Sequence, residues 1–78
     1  MNLFRTILCD SRLNFRDKCF MLLILEDCLV DCVRYYVDYF DVSEKTVYNA
    51  LNNLFKCGYL LKGNYYVINA DYIRKISK

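Results

Sequence analysis

The side chains able to do chemistry in this 78-residue chain are few in kind. There is no His, and there are only two Glu and three Ser, so the paired groups of acid–base or nucleophilic catalysis lack their parts. What the chain does carry is a dense run of amide, hydroxyl and ammonium groups: Ser43, Lys45, Thr46, Tyr48, Asn49, Asn52, Asn53, Lys56, Lys62 and Asn64. An amide presents a donor beside an acceptor, and a lysine presents a point charge. That chemistry is recognition rather than bond-breaking, so no enzyme activity and no cofactor are expected.

The five cysteines (Cys9, Cys19, Cys28, Cys32, Cys57) are the other reactive groups. Cys28 and Cys32 stand four apart, but there is no CxxC pair and no His to complete a zinc site, so no metal is expected. The odd count, and the lack of a basic stretch leading into an apolar segment, argue against a secreted disulfide framework. Two readings stay open: small buried apolar side chains, or an intracellular disulfide within or between chains. The expected location is the cytoplasm, or the host cell interior if the protein is viral. Abundant Tyr, Asn, Lys, Ile and Phe without Pro or Trp fit an AT-rich viral or mobile-element origin.

The net charge is only +2, but its distribution is uneven. Residues 1–42 carry five basic and seven acidic groups, whereas residues 43–78 carry six basic groups against Glu44 and Asp71. A positive field on one half is what a phosphate-facing surface needs, although scattered surface charge gives the same numbers. The apolar run 19–25 is too short for a bilayer and ends at Glu26 and Asp27, so it reads as a buried helix and no membrane partner is expected. A chain this short buries little core alone, so a partner subunit or dense packing is expected to help.

The elements that must position these groups follow from periodicity and punctuation. Residues 2–9 place Leu3, Phe4, Ile7 and Leu8 on one helical face, and residues 10–13 break it. Asn14 caps a helix over 15–27, with Asp17 helping its positive end and Phe20, Leu23, Ile24 and Asp27 sharing a face; the unbroken apolar run predicts burial on most sides. Leu29 and Val30 make a short extended link. Asp31 caps a third helix carrying Val33, Tyr36, Val37 and Phe40, with Tyr35 and Tyr39 on its other side. Ser43 caps a helix over 44–57 that turns Val47, Ala50, Leu51, Leu54 and Phe55 inward, and Gly58 ends it. The β-rich runs 59–62 and 65–68 flank Gly63-Asn64, which suits a two-residue type II′ hairpin. Asn69 caps a last helix with Tyr72, Ile73 and Ile76. The expected class is mainly α with a small β-hairpin, in the order α-α-α-α-β-β-α.

The stretch 33–68 resembles the winged helix-turn-helix family. Its turn is Asp41-Val42-Ser43, its recognition helix carries Val47, Leu51 and Leu54, and Gly58-Tyr59-Leu60 leads into the wing. The resemblance covers about half the chain, and residues 15–25 extend it as the preceding core helix. It implies one winged-helix domain over 1–78: an N-terminal helix and link (1–13), a three-helix core (14–58) with recognition helix 44–57, a wing (59–68) and a C-terminal helix (69–78). It further implies a sequence-specific double-stranded DNA-binding protein, a transcriptional regulator. Lys45 and Lys56 would then meet phosphate or guanine, Asn49 and Asn52 would pair with adenine edges, and Ser43 and Thr46 would donate to phosphate.

Exposed positions on that helix are expected at Glu44, Lys45, Tyr48, Asn49, Asn52, Asn53 and Lys56, although an ordinary solvated face has the same composition. The sequence departs from the family in having no Arg between Tyr35 and Ile73, in Glu44 near a phosphate position, and in a wing tip of only Gly63 and Asn64, with Lys62, Asn64 and Tyr65 left to touch backbone. Modest affinity per subunit follows, and with it a homodimer through the N- and C-terminal helices; those helices serve equally to cover a small monomer core. The alternative function is a winged-helix interaction module or inhibitor that binds a host protein, favoured by eight Tyr and weak net charge.

Overall fold

A computed structural model describes residues 3–27 and 32–77. The described chain is mainly helical with one two-stranded antiparallel hairpin: α1 (Leu3–Leu8), α2 (Phe15–Asp27), α3 (Val33–Phe40), α4 (Glu44–Lys56), β1 (Leu60–Lys62), β2 (Tyr66–Ile68) and α5 (Ala70–Ile76). The expected link at Leu29 and Val30 and the cap at Asp31 lie outside the described residues, as do Cys28 and Lys78.

Side-chain caps start three of the helices in the same way. The oxygens of Asn14, Ser43 and Asn69 each accept the backbone N–H three residues on, at Asp17 (2.8 Å), Thr46 (3.2 Å) and Tyr72 (3.3 Å). Helix α3 lacks such a bond: its N-cap position is Cys32, whose side chain makes no cap hydrogen bond. Two left-handed residues end helices. Asp41 (φ 55°) closes α3, with the Val42 N–H returning to the Val37 carbonyl at 3.3 Å. Gly58 (φ 94°) closes α4 in a Schellman arrangement: its N–H meets the Phe55 carbonyl (3.1 Å), and the Tyr59 N–H meets Leu54 (3.0 Å). Helix α4 therefore ends at Lys56, one residue before the expected bound. A Cβ at Gly58 would meet only the Tyr72 ring, at an ordinary 3.8 Å. The cost of Gly58→Ala is therefore backbone strain, about 1–2 kcal/mol, to be read as a lower urea midpoint at unchanged slope.

The core gathers Ile7, Leu13, Phe20, Met21, Ile24, Tyr36, Val47, Ala50, Leu51, Leu54, Tyr59, Leu60 and Tyr66. Helix α4 packs its Val47–Ala50–Leu51–Leu54 face on α2, α3 and β1. Helix α2 buries Asp17, Phe20, Met21 and Ile24, one face at helical spacing. Around that face Leu22, Leu23 and Leu25 are half-buried and pack against the core, so burial extends over most of α2 as expected and spares Phe15, Arg16 and Glu26. In α1 only Ile7 is buried and Leu3 half-buried, while Phe4 and Leu8 face outward, so the expected four-residue face is two residues wide. Helices α1 and α5 pack on each other as well as on the core.

The hairpin also corrects a prediction. Leu60 pairs with Ile68, Leu61 with Val67 and Lys62 with Tyr66, so three residues, Gly63 to Tyr65, make the connection. Gly63 is not among the positive-φ residues that a type II′ turn requires. The register follows from burial: Tyr66 packs edge-on against Phe55 of α4 (6.5 Å between centroids), which puts Tyr65 in the loop. Phe55 itself was expected inside but is exposed at the margin of the α4 core face.

None of the four described cysteines is buried: Cys9 is exposed and Cys19, Cys32 and Cys57 are half-buried, all as free thiols. Cys9, Cys32 and Cys57 lie at helix ends, and Cys19 lies within α2, away from its buried face. Partial burial still pushes the Cys57 thiol up from its ordinary pKa.

Candidate nucleic-acid interface

Lys45, Asn49, Asn52 and Lys56 recur at intervals of four, three and four residues along α4. That spacing puts them in one stripe, opposite Val47, Ala50, Leu51 and Leu54, over about 16 Å of helix. Lys45, Asn49 and Lys56 are exposed, and Asn52 is half-buried. The stripe itself carries no carboxylate; Glu44 sits in the first turn beside it. Tyr48, half exposed, borders the stripe.

The remaining predicted residues fall elsewhere. The Ser43 and Thr46 hydroxyls bond each other (3.0 Å) while Ser43 caps the helix, so both already serve the helix start. Asn53 does not face outward as expected. Its amide donates to Asp17 Oδ2 of α2 at 3.2 Å. Asp17 is 1% exposed, and its other oxygen, Oδ1, has no hydrogen-bond partner. Sequence reading gave Asp17 only a role at the positive end of α2 and missed the tether, because an acidic residue in a first turn is accounted for by the helix dipole. The clue lay in its spacing: Asp17 stands three, four and seven residues before Phe20, Met21 and Ile24, on the buried face.

The hairpin brings one cation towards α4. Lys62 holds its ammonium 5.3 Å from the Tyr66 ring centre, and Tyr66 in turn meets Phe55. Asn64 and Tyr65 are exposed in the loop. Lys62 and the stripe therefore belong to elements packed together, whereas Asn64 has no recorded bond to α4.

Residues 10–13, which sequence reading had taken for a simple break, form part of a polar lock. Arg12 grips Asp10 with two side-chain bonds (Nε–Oδ1 3.0 Å, Nη2–Oδ2 2.8 Å), and its backbone N–H donates to Oδ1 at 3.0 Å. The buried Tyr59 hydroxyl donates to Asp10 Oδ2 at 2.7 Å, and Arg12 Nη2 donates to the Tyr72 oxygen at 2.9 Å. Tyr59 and Tyr72 meet edge to face at 5.3 Å. The Arg12 guanidinium, foremost, holds the Asp10 carboxyl well below the usual carboxylate range. Burial, then the bond to Asp10, pushes the Tyr59 phenol up. The lock fixes the point where α4 hands over to β1, and so fixes the hairpin relative to the stripe.

On α3, Tyr35 and Tyr39 are exposed with rings 5.9 Å apart, and the Tyr35 hydroxyl donates to Asp27 at 2.9 Å. Among the described residues, no three His, Cys, Asp or Glu side chains gather where they could hold a metal ion, and no helix is long and apolar enough to cross a membrane. In comparisons with known proteins, no family model, no curated protein and no solved structure matches this chain.

Proposed function

We propose that the chain is a winged helix-turn-helix protein that binds double-stranded DNA sequence-specifically and regulates transcription by occupancy. The observation that carries this reading is the α4 stripe: two amides between two lysines, outward, acid-free and held by a core on its opposite side. B-DNA's major groove is about 12 Å wide and admits one helix, and an amide pairs with adenine N6 and N7 through two bonds. Lys45 and Lys56 bracket the amides as phosphate contacts, and Lys62 adds one from the wing. Asn53, engaged with Asp17, positions the helix instead of reading bases. With few cations per subunit, affinity is modest and salt-sensitive, and two subunits are needed on a palindromic site.

The test is fluorescence anisotropy with duplexes from upstream of the protein's own operon and with unrelated duplexes, at two salt concentrations. Lys45→Ala is expected to weaken all duplexes alike and to reduce the salt slope by about one. Asn49→Ala is expected to lose about 1–3 kcal/mol of discrimination at one base pair while leaving unrelated duplexes unchanged. Absence of binding by the parent protein at low salt overturns the reading.

A further inference from the structure

Helix α2 leaves a self-complementary face uncovered. Two clefts adjoin along the α2–α3 seam, of about 210 Å³ and 240 Å³. They share Cys19 and Phe40 in the middle. One runs out to Phe15, Arg16 and Val42, the other to Leu22, Leu23, Glu26 and Tyr39. The floor is apolar, and its two ends carry opposite charge. Among the described residues neither Arg16 nor Glu26 makes an ion pair. Phe15, 79% exposed, is the most exposed of the described large apolar side chains and stands at the basic end.

We infer that this face is the contact between two copies of the chain, related by a two-fold axis that passes the middle of α2. A two-fold contact is isologous, so residue i meets j while j meets i. Running α2 antiparallel to its copy about position 21 exchanges positions 16 and 26, and 19 and 23. Arg16 of each copy then reaches Glu26 of the other, and each Phe15 projects into the other's Leu22–Leu23–Tyr39 cleft. A uniformly acidic or uniformly basic helix would match one end of the seam and oppose the other; a second α2, reversed, matches both. The inference moves the expected dimer contact away from the terminal helices, since α1 and α5 pack on each other within one copy. It does not depend on what α4 binds.

The experiment is sedimentation velocity of the full chain from about 1 to 200 µM, a range that covers modest interfaces. The parent is expected to dimerise. Arg16→Glu and Glu26→Arg should each weaken the dimer by about tenfold or more, and the double variant should restore it to within a few-fold, because the swapped charges pair again across the axis. Phe15→Ser should abolish the dimer, with unchanged cooperative thermal unfolding showing that the exposed site is not structural. A parent that stays monomeric throughout, or a dimer unmoved by these changes and broken by Phe4→Glu with Leu8→Glu on α1, overturns the inference. The DNA titration reads a different quantity, so the two proposals fail separately.

Discussion

Asp10→Asn is expected to be the most destabilising single conservative change in the polar groups of this protein, by about 2–4 kcal/mol at neutral pH. The carboxylate accepts from the Arg12 side chain twice, from the Arg12 backbone and from Tyr59, and its side chain is only 9% exposed. An amide in its place offers one oxygen instead of two and turns a donor towards one of these donors. The Tyr59 hydroxyl, in a residue 1% exposed, then loses a charged acceptor inside the protein. In a domain of this size, 1 kcal/mol moves the thermal midpoint by roughly 4–8 °C, so a drop of 10 °C or more is the expected reading. The same bonds dictate the acid response. A carboxyl whose folded pKa is depressed stabilises the fold above its unfolded pKa of about 3.9 and loses that contribution as pH falls towards the folded value. Urea midpoints of the parent should therefore fall below about pH 4, and those of Asp10→Asn should fall less over the same window. Parallel acid limbs in the two proteins would remove Asp10 as the cause.

Asn53→Ala is expected to cost about 2–4 kcal/mol although it removes a half-buried side chain, because it takes away the single recorded donor to a buried carboxylate. The penalty belongs to the buried carboxyl left without a partner. Asp17→Asn placed on top of Asn53→Ala should therefore recover much of the loss, while Asp17→Asn alone should be close to neutral. Denaturant unfolding of the four proteins closes the cycle, and strictly additive changes would show that the two side chains do not act as a pair. The tether also bears on recognition. With Asn53 tied to α2, the Asn49 and Asn52 amides are held at a fixed rotation about the α4 axis. On the proposed reading, Asn53→Ala should weaken specific duplexes more than unrelated ones without touching a base.

Much of this architecture was legible because local rules coincide with it. Asn14, Ser43 and Asn69 are capping residues ahead of amphipathic runs, and each does bind the third amide on. Gly58 sits where only a residue without a Cβ is relaxed. The α4 stripe follows from spacing alone, since Val47, Leu51 and Leu54 fix the opposite face. What escaped reading depends on pairs distant in sequence. Asp17 meets Asn53 across 36 residues, Asp10 meets Tyr59 across 49 and Arg12 meets Tyr72 across 60. No periodicity announces such pairs, because each partner looks like an ordinary surface residue in its own element. The hairpin loop was misjudged for a related reason: Gly63-Asn64 satisfies a local turn preference, but the burial of Tyr66 against Phe55 sets the register. The four described cysteines are less buried than the apolar reading of their type implies, because Cys9, Cys32 and Cys57 sit at helix ends and Cys19 lies off the buried face of α2.

The left-handed turn at Asp41 leaves a carboxylate two residues ahead of Ser43, and Glu44 follows directly after it. Two negative side chains thus crowd the head of α4, where the leading amides would otherwise invite an anion. On the proposed reading, a polyanionic partner would meet resistance at that tip and attraction only along the flank. On that reading the helix would therefore lie lengthwise against its target, like a keel, rather than prod it with its point.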